Sequence, residues 1–209
     1  MKHLTYIVPL CLILFTAACN NKEKLPIYGG KQLVVTKEAG KKYYDSVDYS
    51  IGYIRLYNQN RDIITRKDVE GKIYVADFFF TACPGICPKM KAQLLKVYEK
   101  YKDNPKVIIV SYTIDPKRDT PETLLRYAEK LQVKAPKWHF LTGNQDTIYA
   151  LADKYLVSAK EDPDSPGGFA HSGNLVLVDE LGRIRGYYDG TTNEGAEKLL
   201  ADMDKLLAE

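Results

Sequence analysis

Two cysteines separated by three residues, each followed directly by a proline, stand in Thr81-Ala82-Cys83-Pro84-Gly85-Ile86-Cys87-Pro88. The segment lies between an aromatic apolar run, Lys72 to Phe80, and a stretch in which Met90, Leu94, Val97 and Tyr101 recur at helical spacing. A cysteine just ahead of a helix faces unpaired backbone N–H groups and the positive end of the helix dipole, which favours the thiolate as nucleophile and as ligand. Prolines cost little in a first turn, because its N–H groups have no intrahelical acceptor. On a helix beginning near Pro84, four residues at about 100° each bring Cys83 and Cys87 to nearly the same side. Such a pair can close a disulfide or clamp one ion.

Spacing separates these uses only in part. Disulfide oxidoreductases of thioredoxin type place two residues between their cysteines, and here there are three. Zinc asks for four ligands in a structural site, and no second cysteine pair supplies them. Soft thiolates favour Cu(I), and thiolate with imidazole also suits Cu(II), so the missing ingredient is a histidine. The chain has three. His3 lies in the leader, and His139 sits inside the strand-like Trp138-His139-Phe140, where a packed or solvated imidazole is the plain expectation. His171 ends the polar, Pro- and Gly-rich stretch Val157 to Ser172 and stands just ahead of the apolar run Asn174 to Val178, near one end of a sheet.

The elements that must position these groups alternate along the chain. Lys72 to Phe80 and Val107 to Ile114 read as strands buried on both faces, Trp138 to Thr142 as a third, and Asn174 to Val178 with Arg183 to Tyr188 as a hairpin. Helices fall between them, one opened by Thr120-Pro121-Glu122 as N-cap, first-turn proline and acid. Tyr53 to Tyr57 and Asp62 to Thr65 look like two further strands around a turn. The pattern is that of an α/β sandwich with a mixed central sheet.

With 209 residues, 30 basic and 27 acidic, the chain carries a net charge of +3, which excludes nucleic-acid binding through bulk basicity. Composition is that of one ordinary globular domain. Residues 1–18 form a signal peptide, since Leu4 to Ala18 is apolar yet too short to span a bilayer. Ala17-Ala18-Cys19 is similar to the lipobox of bacterial lipoproteins, with Thr16 where leucine is more usual. Cleavage before Cys19 and its acylation would place the protein in the bacterial cell envelope, lipid-anchored, with its domain on the extracytoplasmic side. Residues 19–50 are polar and turn-rich and read as a tether with an irregular lead-in, leaving 51–209 as the domain. After Cys11 leaves with the leader and Cys19 takes lipid, Cys83 and Cys87 are the remaining thiols. A pair this close constrains little chain entropy, so its use is chemical rather than structural.

The block FFFTACPGICPKM, the stretch Ser111-Tyr112-Thr113-Ile114-Asp115-Pro116-Lys117-Arg118-Asp119-Thr120-Pro121, then Trp138 through Gly143, then His171-Ser172 before an apolar strand, together resemble the Sco/SenC family of copper-binding proteins. The resemblance runs in order from about Asp62 to Leu207. It implies a thioredoxin-like sandwich with an extra N-terminal β-hairpin and a single copper held by Cys83, Cys87 and His171. Asp115 falls at the family's acidic position near the site; its other reading is a cap or turn former before Pro116. The implied task is assembly of the dinuclear copper site of cytochrome c oxidase, by delivering copper, by reducing the target's cysteines, or both. Partners would be the copper-site subunit of that oxidase, other copper chaperones and the membrane, with no nucleic acid. Two other uses of the site stay open at this level. One is a thiol-disulfide reductase or peroxidase with Cys83 attacking and Cys87 resolving, although no arginine lies between Arg66 and Arg118 to serve a peroxidase. The other is a copper or redox sensor.

Overall fold

The computed structural model describes residues 24–38, 40–52 and 54–209, so the leader, Cys11 and Cys19 lie outside the described residues. Strands β1 (Lys31–Glu38), β2 (Lys41–Asp48), β3 (Arg55–Tyr57) and β4 (Ile63–Thr65) come first, followed by the short helix α1 (Arg66–Val69). Then β5 (Ile73–Phe79), α2 (Cys87–Tyr101), β6 (Val107–Thr113), α3 (Pro121–Lys130), β7 (Trp138–Leu141) and α4 (Gln145–Lys154) alternate. The chain closes with β8 (Ala159–Glu161), β9 (Phe169–His171), β10 (Asn174–Val178), β11 (Ile184–Asp189) and α5 (Asn193–Leu207).

Five strands make the central sheet, in the order β11-β10-β5-β6-β7. β5, β6 and β7 are parallel, while β10 runs antiparallel to both β5 and β11. The sheet is therefore mixed, as the alternation of elements predicts. Every residue of β5 and β6 is buried, which matches their nearly continuous apolar runs, broken by Asp77 in β5 and by Ser111 and Thr113 in β6. Successive side chains serve opposite faces: Phe79 and Phe140 meet Tyr127 on one, Phe78 and Tyr112 meet Tyr155 on the other. The strand directions put the C-terminal ends of β5, β6, β7 and β11 at one end of the sheet with the start of β10. That end carries the candidate site.

Three local expectations are corrected. Residues 31–48 are not an irregular lead-in but the antiparallel hairpin β1–β2, paired from Lys31↔Asp48 to Glu38↔Lys41. Its strands bury neither face, Leu33 and Tyr44 being 67 % and 65 % exposed, so no core imposes the apolar alternation by which a strand is read. The hairpin expected around residues 53–65 is present as β3–β4, pairing Leu56 with Ile64. The polar stretch 157–172 is likewise structured: β8 and β9 pair, Ala159 opposite His171, around a 3₁₀ turn at Pro166–Gly168. Third, α2 begins at Cys87, not near Pro84, with Pro88 in its first turn. Among the described residues no helix is long and apolar enough to cross a membrane.

Candidate metal centre

Cys83, Cys87 and His171 converge, their candidate ligand atoms all within 4.8 Å of one another. Each reaches the spot by a different route. Buried β5 delivers the chain at Phe80, whose carbonyl accepts the Cys83 N–H at 3.2 Å and closes the turn that holds Cys83. Cys87 is the first residue of α2 and only 1 % exposed, whereas Cys83 is partly exposed. The two cysteines thus share a side through a turn followed by a helix start, rather than through one continuous helix. Both are free thiols.

His171 comes from the end of β9. Its Nδ1 lies 3.1 Å from the Ser172 carbonyl, so Nδ1–H donates there and Nε2 keeps a lone pair. Nε2 lies 3.4 Å from the Cys87 Sγ. An imidazole fixed by a backbone carbonyl and aimed by its other nitrogen is the arrangement metal-binding histidines use. The ring stands edge-on to Phe80 at 6.0 Å, and Phe80 also packs against Phe169 at 5.1 Å. Gly167 has φ +82°, and a Cβ there would come within 2.7 Å of the Phe80 ring, so glycine is required for the loop to close over this aromatic pair. Phe80, Cys83, Ile86, Pro166, Phe169 and His171 line a cleft of about 230 Å³ open to solvent.

Burial pushes the Cys87 thiol above its ordinary range; the Phe80 backbone and the Lys91 ammonium pull it down by less, while the adjacent Cys83 adds to the rise. The thiolate-favouring effect expected of a helix start is therefore outweighed at Cys87 by desolvation. Burial also lowers His171, against a smaller opposing effect from the Ser172 carbonyl, and keeps the imidazole neutral. A neutral imidazole and two thiols are donors that a soft ion can take up with release of thiol protons. The donor set fits one copper ion.

Asp115 is brought near this end of the sheet but not into the triad. It is 4 % exposed, and its carboxylate pairs with Arg118, which in turn reaches the Gly167 carbonyl at 3.4 Å and lies over the Phe169 ring at 5.9 Å. Asp115 thereby acts on the loop that carries His171 instead of facing the ligands. His139 is buried, with Nδ1 3.4 Å from the Asn58 amide, and takes no part.

Two groups escaped the sequence reading. Asp119, 1 % exposed, accepts hydrogen bonds from the Thr81 N–H at 3.0 Å and from the hydroxyls of Thr81 and Thr113, and so braces the turn before Cys83. Standing just ahead of the N-cap Thr120, it reads as ordinary helix-start chemistry, and a partner 38 positions away leaves no local signal. Lys91 lies one turn after Cys87, with Nζ 2.6 Å from Asp77 and 3.0 Å from Ser111, over the Phe79 ring at 3.9 Å. A lysine beside an apolar stripe normally points to water; its signal was the equally unusual Asp77 inside an apolar strand.

Fold and site together define a thioredoxin-like α/β protein with a dithiol–imidazole centre at the sheet end. A family model described as SCO1/SenC matches residues 47–208, and the chain belongs to that family. A SCO1 protein homolog of Bacillus subtilis is 28 % identical over 166 residues, spanning 78 % of this chain and 86 % of that protein. The crystal structure of a SCO1/SenC family lipoprotein from Bacillus anthracis superposes with a TM-score of 0.70 at 29 % identity, over 77 % of this chain and 96 % of that one. BsSco, described as a member of the Sco family of cytochrome c oxidase assembly proteins with a disulfide switch, gives 0.65 at 28 % identity, over 75 % and 92 %. ScoI of Bradyrhizobium japonicum, solved with copper bound, gives 0.57 at 29 %, over 72 % and 97 %.

Proposed function

We propose that this chain is a membrane-anchored copper metallochaperone that assists assembly of the dinuclear copper site of cytochrome c oxidase. The observation that carries the reading is the convergence of Cys83, Cys87 and His171 within 4.8 Å. It is supported by a relative solved with copper bound and another described as an oxidase assembly protein. Cys83 and Cys87 would supply two thiolates and His171 its Nε2, with the open cleft leaving the ion within reach of an acceptor protein. Acylation at Cys19 would hold the domain on the outer side of the cytoplasmic boundary, in line with a relative described as a lipoprotein.

The same pair can also act as a reductant. Partly exposed Cys83 is placed to attack a target disulfide, and buried Cys87 to displace the target sulfur; the protein's dithiol becomes a disulfide as the target disulfide becomes a dithiol. Closing the Cys83–Cys87 bond would remove both sulfur ligands, so copper occupancy and the disulfide exclude one another.

The test mixes the copper-loaded, reduced protein with the isolated copper-site domain of the oxidase subunit, reading metal by native mass spectrometry and thiols by alkylation. Movement of copper to that domain, reduced in rate by His171→Ala, is expected. Reduction of the target's cysteines without copper transfer, unaffected by His171→Ala, would replace the reading with a dithiol reductase.

A further inference from the structure

The two ends of the sheet differ in more than the metal centre. At the end opposite the site, the chain is clamped where it enters the domain. Arg185, 3 % exposed near the start of β11, donates to the carbonyls of Leu25 at 2.7 Å and Pro26 at 3.1 Å and pairs with Glu209 at 2.8 Å. Glu209 in turn accepts the Leu25 N–H at 3.0 Å, and Tyr28 N–H bonds the Ile184 carbonyl at 2.9 Å. The clamp at Leu25 and Pro26 therefore lies far closer to Cys19 along the chain than residue 50 does. Six steps separate Cys19 from Leu25, a reach of at most ~20 Å.

Charge divides the same way. The connections at the clamped end, 66–72, 102–106, 131–137 and 179–183, carry eight Lys or Arg against five Asp or Glu. Those at the metal end, 80–86, 114–120, 142–144, 157–173 and 190–192, carry three against five. Under the β6 and β7 starts the clamped end opens into a cleft of about 620 Å³ lined by Lys72, Lys102, Lys134 and Lys137, with Asp103 and Tyr98. Lys137 is held there by the carbonyls of Asn104 and Val107 and Lys72 by that of Asp68, while Lys102, paired with Glu99 at 3.2 Å, and Lys134 are exposed.

We infer that the basic end of the domain, opposite the metal centre, docks on an anionic lipid surface, with the four-lysine cleft receiving phosphate headgroups. The inference rests on the lipid anchor proposed at Cys19, because the short tether is what holds this end at the surface. Basic residues close to an anionic leaflet are attracted over about a Debye length, and a clamp within ~20 Å of the acyl chain returns them repeatedly to that range. The strand height of β5 then sets the metal centre about 20 Å further from the lipid, facing away from it. An acceptor protein would meet the acidic metal end, clear of the membrane.

The test uses the full acylated chain, its acylation verified by intact mass, in vesicles of phosphatidylglycerol and, separately, of phosphatidylcholine. Lysines are labelled with an amine-reactive reagent and quantified by peptide mass spectrometry. In phosphatidylglycerol, labelling of Lys102 and Lys134 is expected to fall at least threefold relative to exposed Lys89 and Lys117 at the metal end, and to recover in 0.5 M salt or in phosphatidylcholine. In Lys102→Glu with Lys134→Glu the asymmetry is read at Lys67 and Lys106 of the same end, both exposed, and their protection should be lost while copper binding stays unchanged, which shows the variant folded. Equal labelling at both ends, or protection of Lys117 instead, overturns the docking. A chain without acyl mass overturns the anchor; if that chain still shows the asymmetry in phosphatidylglycerol, the docking face stands without it.

Discussion

At His171 one hydrogen bond decides the chemistry: with Nδ1–H given to the Ser172 carbonyl, Nε2 is the nitrogen offered beside Cys87. Burial holds the Cys87 thiol high and His171 low, so at neutral pH the histidine has no proton to lose while Cys87 must give one up on binding a metal. Apparent copper affinity should therefore rise with pH between 6 and 8, by about tenfold per unit for each thiol proton displaced; competition titrations at three pH values check this, and a flat profile contradicts it. His139, which lies outside the Cys83, Cys87 and His171 group, behaves differently. Burial lowers its pKa, Asp68 opposing by less, so the folded state prefers the neutral ring. The unfolded chain takes the proton first as pH falls below about 6.5, so this contribution is complete above that value and is lost as pH drops through the folded value. Urea midpoints at pH 7.5 and 5.0 should fall further in the parent than in His139→Gln.

At the scale of elements, the site depends on two connections meeting: the turn between β5 and α2, and the β8–β9 hairpin. Asp119 holds the first by taking the Thr81 N–H and two threonine hydroxyls. Asp119→Ala should lower copper affinity by roughly 10–100-fold, the range for loss of a ligand's supporting partner, and speed hydrogen exchange across residues 80–86 while the rest of the sheet keeps its protection. Unchanged affinity would show that the turn needs no brace. What the sequence revealed follows the same division. The apolar runs of β5 and β6 and the Thr120-Pro121 helix start were legible because burial and capping each leave a local mark, and Cys83 and Cys87 stood out by type and spacing, whereas His171 joined them only through the resemblance to the Sco/SenC family. β1–β2 was not, since its strands are largely exposed and no core selects an alternating pattern, and β8–β9 was not, since strands of three residues are too short to show one. Nor was the brace from Asp119, which exists only once β5 and β6 lie side by side.

Over the whole molecule, one buried ion pair sits behind the metal centre and ties α2 to the sheet. Lys91 and Asp77 are at most 2 % exposed and joined at 2.6 Å, with Ser111 as a shared partner. Lys91→Met alone leaves a buried carboxylate without its cation and should cost about 3–5 kcal/mol in urea unfolding, while adding Asp77→Leu should return most of that loss. Additive losses would instead mean that the two residues act independently. The architecture as a whole sets a buried sheet beneath a site whose proposed ligands come from a turn, a helix start and a hairpin end, and the account predicts one ion held by three residues. The direct test is an anaerobic Cu(I) titration of the reduced protein against a competing chelator, beside His171→Ala and Cys83→Ser. One tight equivalent, weakened by roughly a hundredfold or more in either variant, is expected, a loss at or beyond the range for supporting partners alone. Binding that is weak in the parent, or indifferent to His171, would contradict the three-ligand centre.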